Sequence, residues 1–300
     1  MEEESHGLIL EEKPKETDRI FGASPTKKEV LRLDGQYDEY LPKPEYQRKR
    51  CDVLACVSFS AENCDETIRK VKYGSMENNS DRFTAKMSGT DPSRGNSMSA
   101  VADSKRKNGS VAEAMWSYPD NINIYQYYSS IPQHIQNEGK KYLLQYEVEY
   151  DWVYIWFDLS LSQKRRRLIE ALPYGPIQVS IVSGTRQNEN GYYQKSNSRT
   201  NHAVMLYGYV EGEYWKIYDH YDNICKKLEW DYNFGHAMQY TITKKPPLYE
   251  TQTDGSVDGV AMPSGSIVNS KQAWKFIVWN KYIGLLFKRL GKKLGSLIKK

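Results

Sequence analysis

Apolar positions along the chain recur first at helical spacing and later alternate. Val57, Ala61, Cys64, Ile68 and Val71 lie three to four residues apart and predict a helix with one apolar stripe, beginning at Cys56. SMSAVADSKRK (97–107) predicts a second helix, stopped by Asn108-Gly109. SQKRRRLIEALPYG (162–175) predicts a third, ended by Pro173 and Gly175, and His134 sits in a further helix-like stretch, IPQHIQ. From residue 176 the period falls to two. PIQVSIV places Ile177, Val179 and Ile181 on one side, NHAVMLYGYV (201–210) and EYWKIYDHY (213–221) predict a hairpin, and AMQYTIT (237–243) predicts another strand. Helices first and strands later, without βαβ alternation, predict an α+β fold with two lobes.

The flanks differ from this centre. Residues 1–45 read as an N-terminal extension with little core of its own, and the structured signals fall within 46–245. Residues 246–270 are rich in Pro, Gly, Ser and Thr and read as a linker. Residues 271–300 read as a basic amphipathic helix, with Trp274, Ile277, Val278, Leu285, Leu286, Leu290, Leu294 and Leu297 along one ragged stripe. Such a helix fits an anionic membrane surface or a partner protein.

The chain's net charge of +4 sits in that last segment, which holds nine Lys/Arg and no acid. The other 270 residues carry 33 Lys/Arg against 38 Asp/Glu, a balance of −5, so no specific nucleic-acid partner is expected. The acidic N-terminus is no secretory signal, and no apolar run reaches the roughly 18–20 residues of a membrane span. Four cysteines in 300 residues are too sparse for a disulfide scaffold. The expected location is cytoplasmic or another reducing compartment, with 271–300 as a route to the membrane periphery. The 24 tyrosines suit half-buried groove surfaces.

Three of the four cysteines fall in RCDVLACVSFSAENCDE (50–66). Their spacings of five and eight residues, with no nearby histidine, do not suit zinc, and no metal or other cofactor is expected. A Cys51–Cys64 disulfide has no compartment to support it. Cys56, at the first turn of the predicted helix, stands where backbone N–H groups favour an anion, a position suited to a nucleophilic thiolate. Cys64 lies on the apolar stripe and reads as core.

A thiolate nucleophile needs an imidazole partner. A hairpin turn centred on Glu211-Gly212 makes opposed positions sum to 423. His202 then faces Tyr221, and Asp219 becomes its diagonal neighbour on the same face, with ~7–8 Å between backbones. This register assigns His202 as base and Asp219 as its orienter. A one-residue slip would bring His220 to the working face instead.

These residues resemble the papain-like cysteine peptidases. CVSFSA (56–61) resembles the family's nucleophile helix, NHAVMLYGY (201–209) its histidine strand, and YWKIYDHY (214–221) the strand of the third triad member, with Asp219 where Asn is usual. NGSVAEAMWSYP (108–119), YGPIQVSI (174–181) and NGYY (190–193) follow the family's order over roughly residues 41–243. Cys56 and His202 are 146 residues apart, and Asp219 follows 17 later. The resemblance implies a helical lobe and an antiparallel β-barrel lobe around a cleft, and cleavage of polypeptides through a thiolate acyl-enzyme. It implies an oxyanion hole from the Cys56 N–H and an upstream glutamine, for which Gln47 is the candidate because position 50 is Arg. Asn96, Ser97 and Asn201 fall at its substrate-binding positions, and Tyr221 replaces the tryptophan that shields the histidine. Residues 1–45 are too short to be expected to act as the long inhibitory pro-segment of secreted relatives. A papain-like scaffold that binds peptides without cutting them, and a cell-wall peptide hydrolase, are the alternatives.

Overall fold

Residues 7–23, 28–155, 159–221 and 224–246 are described by a computed structural model, all within the first of two units, residues 1–248. The basic segment 271–300 and nearly all of the 246–270 linker lie outside the described residues. Among the described residues no helix is long and apolar enough to cross a membrane.

Helices α1 (Cys56–Tyr73), α2 (Asp81–Met87), α3 (Met98–Asn108), α4 (Ile124–Tyr127) and α5 (Gln133–Gln145) make the helical lobe. Strand β1 (Tyr146–Tyr154) and helix α6 (Leu161–Ala171) follow, then β2 (Ile177–Ile181), β3 (His202–Val210), β4 (Tyr214–Tyr218), β5 (Cys225–Glu229) and β6 (Ala237–Lys244). The six strands form one antiparallel sheet in the order β1-β6-β2-β3-β4-β5. The α+β architecture is the expected one, although β1 precedes α6 instead of joining a continuous strand half. Strands β1 and β5 escaped the sequence reading, β5 because CKKLE is mostly polar and exposed.

Helix α1 runs 18 residues without Gly or Pro and stops at Gly74, whose left-handed φ of 66° lets its N–H cap Arg69 and Lys70 carbonyls. Its apolar stripe packs on β3, β6 and β2. The opposite face is buried as well, through ions: Lys105 Nζ lies 2.6 Å from Glu62 and 3.1 Å from Asp65, and Arg69 Nε lies 2.6 Å from Asp65. Burial would raise the Asp65 carboxyl, but Lys105 and Arg69 hold it down at about 2.

Where they are described, the first 45 residues pack on the main core. Leu8 belongs to the main core, Phe21 N–H donates to Trp152 O at 2.7 Å, and Tyr37 is fully buried. Segment 36–37 also clamps the hairpin that carries the histidine. The β3–β4 turn has three residues, Glu211–Glu213, and pairs Val210 with Tyr214, so positions near the turn sum to 424 and not 423. A bulge at Tyr207 restores the expected count: Leu206 pairs with Ile217 and Met205 with Tyr218. The bulged Tyr207 carbonyl accepts from Tyr37 N–H at 3.0 Å, and Gln36 Nε2 donates to Tyr209 O at 2.9 Å. A Cβ at Gly208 would stand 2.4 Å from Gln36 Oε1, so the Gln36 amide that holds Tyr209 O would have to shift.

Tyr37→Ala is therefore expected to cost about 3–5 kcal/mol, as for other buried aromatic truncations. Urea unfolding of the two chains checks this. A change within about 0.5 kcal/mol, typical of surface sites, would mean that the segment contributes nothing to the core.

Candidate active site

Cys56 opens α1 at the end of a strained approach. Leu54 has φ 51°, the one non-glycine left-handed residue among those described. That conformation costs a branched residue roughly 1–2 kcal/mol. Asp52 holds the turn: its Oδ1 accepts from Leu54 N–H and Gln47 Nε2, both at 2.9 Å, and its Oδ2 accepts from Tyr221 OH at 2.8 Å. Ala55, at the N-cap, offers no side-chain cap, and the first turn has no acid. The helix's leading N–H groups are thus left for an anion at Cys56.

His202 begins β3 and is fully buried. Its Nε2 lies 2.8 Å from Asp219 Oδ1. Its Nδ1 is buried without a hydrogen bond inside normal limits. Cys56 is near enough for its charge to bear on the imidazole. Burial works to lower the His202 pKa, but Asp219 first and Cys56 second outweigh it, and the value is raised to about 10. The ring is an imidazolium over most of the pH range, ready to form an ion pair with a thiolate.

Asp219 is buried and would be raised by desolvation, but His202, His220 and Lys226 together hold its carboxyl far below the usual range. Lys226, on β5, places its ammonium 2.6 Å from Asp219 Oδ2, and Tyr221 N–H donates to Oδ1 at 3.1 Å. The ring of Tyr221 meets His202 edge-on at 5.3 Å, the place expected of the shielding aromatic. His220 lies beside His202, with the two ring centres 5.3 Å apart. It stacks on Phe59 at 5.0 Å, both of its nitrogens lack partners, and burial with the neighbouring His202 lowers it to about 3. His202, Asp219 and His220 offer ligand atoms within 4.8 Å of one another. The Lys226 ammonium on Asp219 opposes a cation there, and both Asp219 oxygens are already engaged.

The remaining predicted positions are distributed as follows. Gln47 is fully buried, and its Nε2 donates one hydrogen bond to Asp52 Oδ1 at 2.9 Å. Asn96 spends its side chain on Ser88 and Thr90, and its backbone pairs with the chain's own N-terminal segment. Ser97 caps α3 by accepting from Ala100 N–H. Asn201 Oδ1 accepts from Ser183 N–H at 3.0 Å. Cys51 and Cys64 are free thiols, and burial raises Cys64 well above the ordinary thiol range.

Sequence reasoning missed Lys226, Asp52 and the segment Gly7–Glu11. That segment bridges Asn96 in parallel: Ile9 N–H donates to Asn96 O at 2.8 Å and Asn96 N–H to Gly7 O at 2.9 Å. Glu11 Oε1 accepts from Ser99 N–H at 2.7 Å, and Glu11 O lies 3.0 Å from His236 Nε2. Gly95 is required, because a Cβ would fall 1.9 Å from Gly7 O. Five residues of the chain thus lie against both the helical lobe and the sheet, beside the loop that delivers Cys56.

No family model matches the chain, and no curated protein matches it by sequence. Solved structures do. The bromelain protease from Ananas comosus, in complex with the E64 inhibitor, is 16% identical over 69% of this chain and 97% of its own, with a TM-score of 0.50. Digestive procathepsin L 3 of Tenebrio molitor larval midgut is 14% identical over 71% of this chain and 75% of its own, with a TM-score of 0.49. Recombinant stem bromelain precursor is 17% identical over 69% of each chain, with a TM-score of 0.49. The chain has the two-lobe papain-like fold.

The buried histidines His202 and His220 set opposite pH limits on stability. His202, raised from 6.5 to about 10, contributes stability that is complete below about pH 6.5 and lost as pH rises through about 10. His220, lowered from 6.5 to about 3, contributes stability that is complete above about pH 6.5 and lost as pH falls through about 3. The urea midpoint is expected to decline on both sides of neutrality. His220→Asn should flatten the acid limb, and Asp219→Asn, which removes the main cause of the raised His202 value, should flatten the alkaline limb. Variant profiles parallel to wild type on both limbs would contradict the assignment.

Proposed function

We propose that the chain is a cysteine-type peptidase that hydrolyses peptide bonds through a thiolate acyl-enzyme. The observation that carries this reading is the buried His202–Asp219 pair at 2.8 Å, its second ring nitrogen unpaired, beside a cysteine at an uncapped helix N-terminus. Cys56 Sγ attacks the scissile carbonyl carbon. The oxyanion is met by the Cys56 N–H, with the α1 dipole behind it. His202 gives its proton to the leaving amine as the tetrahedral adduct collapses to a thioester. It then takes a proton from water, whose oxygen attacks the thioester and frees the acid and the thiol. Asp219 fixes the ring by holding Nε2, which leaves Nδ1 for this traffic, and Lys226 balances its charge. The parallel pairing of Gly7–Ile9 with Asn96 supports the reading from another side, as an extended peptide is held there by backbone bonds.

One observation favours a second reading, a peptide-binding scaffold without turnover. The Gln47 amide commits one of its two N–H groups to Asp52, which restrains it as a second oxyanion donor. Loss of one such donor typically costs 10²–10³ in kcat.

A thiol-directed epoxide probe separates the two readings. The wild-type chain should be labelled on Cys56 alone, with Cys51 and Cys64 unmodified, and Cys56→Ala should lose the label. Peptide turnover should fall by about 10³-fold or more in Cys56→Ala and His202→Ala, as for other triad members. Equal labelling of Cys56→Ala would refute the nucleophile. Peptide binding with no product between pH 5 and 8 would select the scaffold.

A further inference from the structure

Buried cations in this chain are matched with carboxylates, with one exception. Among the described residues, three Lys or Arg side chains are buried: Arg69, Lys105 and Lys164. Arg69 lies 2.6 Å from Asp65, and Lys105 lies 2.6 Å from Glu62. Lys164, on α6, has neutral partners only. Its Nζ donates to Asn233 Oδ1 and Phe234 O, both at 2.9 Å, and stands 5.6 Å from the centre of the Tyr154 ring. Burial accordingly lowers its pKa, with no carboxylate to oppose the shift. A buried ammonium without a counter-charge is costly, because its hydration is lost and no anion replaces it.

Lys164, Asn233 and Phe234 line a cavity of about 640 Å³. Arg199 and Thr200 form part of its wall, and Arg199 is exposed and close enough for its charge to bear on His236. The volume lies within the usual range for ligand sites. The cavity adjoins the candidate active site by two routes. Thr200 stands two residues before His202 on the same chain. Leu10 and Glu12 of the N-terminal segment also line it, while Gly7 of that segment abuts the Leu54 backbone, two residues before Cys56. An extended peptide lying where residues 7–12 lie would reach from the nucleophile's loop into the cavity, about 16 Å at ~3.3 Å per residue. The chain's own segment already brings a carboxylate, Glu12, to its rim.

We infer that this cavity is a specificity pocket for an acidic side chain of the peptide ligand, with Lys164 at its floor and Arg199 at its mouth as the residues that recognise the carboxylate. The inference rests on the peptidase reading for its consequence in catalysis, and on the cavity alone for its consequence in binding. A carboxylate placed there completes the one unmatched buried cation, and its amide isostere does not.

The test is a peptide series carrying one Glu, or Gln at the same place, scanned through successive positions on both sides of the cleaved bond. One position is expected where Glu exceeds Gln by about tenfold in kcat/KM, the scale of a charge-assisted hydrogen bond. That ratio should fall to within about twofold in Lys164→Gln and in Arg199→Gln, the second being an exposed site where folding is not at issue. Ratios within about twofold at every position of the wild type would overturn the pocket and leave the peptidase reading standing. So would a preference that survives in both variants. Should no peptide be turned over, the peptidase reading falls, and fluorescence anisotropy on the full chain decides the pocket. Tighter binding of a Glu peptide than of its Gln twin, lost in Arg199→Gln, supports it, whereas equal or absent binding overturns it.

Discussion

The pairing of β3 with β4 is the constraint on which the site depends. Continued without interruption from the three-residue turn, that ladder would set His202 and His220 on one face and turn Asp219 away. One extra residue, Tyr207, changes the count, so that Asp219 and Tyr221 share the face of His202. Side-chain direction in a strand has period two, so a single inserted residue exchanges the whole set of neighbours. The bulge is held by Tyr37 and Gln36, residues distant in sequence, and by a glycine that leaves room for them. The placement of Asp219 beside His202 is thus conditional on the bonds that Tyr37 and Gln36 make to this hairpin.

Electrostatics then gives two adjacent histidines opposite roles. His202 has a carboxylate at 2.8 Å and becomes a lasting cation. His220, equally buried, has only an aromatic ring and a charged neighbour, and remains neutral. Burial is the same for both, so the carboxylate decides the outcome. Lys226 completes the arrangement: with it, Asp219 has a cation on each side and stays ionised inside the core. An aspartate in the orienting position is therefore a different device from an amide. It fixes the ring and also sets its charge.

Much of this was legible in the chain itself. The α1 stripe, the Gly109 stop and the alternation in β2, β3 and β6 are local patterns, and local patterns survive folding. The register was legible for a compensated reason, because an assumed two-residue turn and an unforeseen bulge differ by one residue in opposite senses. What could not be read was long-range. Nothing near CKKLE says that Lys226 will meet Asp219, and nothing near Leu8 says that it will pair with Asn96. The reading of residues 1–45 as an extension followed from their weak periodicity. Isolated bridges and single buried side chains such as Tyr37 leave no period to detect. The Gln47 amide was likewise unpredictable, since Asp52 competes for it only once the loop has closed.

The loop ahead of Cys56 is fastened across the lobes. Gln47 N–H donates to His220 O at 2.9 Å, Asp52 takes the Tyr221 hydroxyl, and Gln178 Nε2 reaches Val57 O and Ser60 Oγ from β2. A hinge that swung the two halves apart would have to break all of these at once, and would pull the sulfur from its imidazole as it did so.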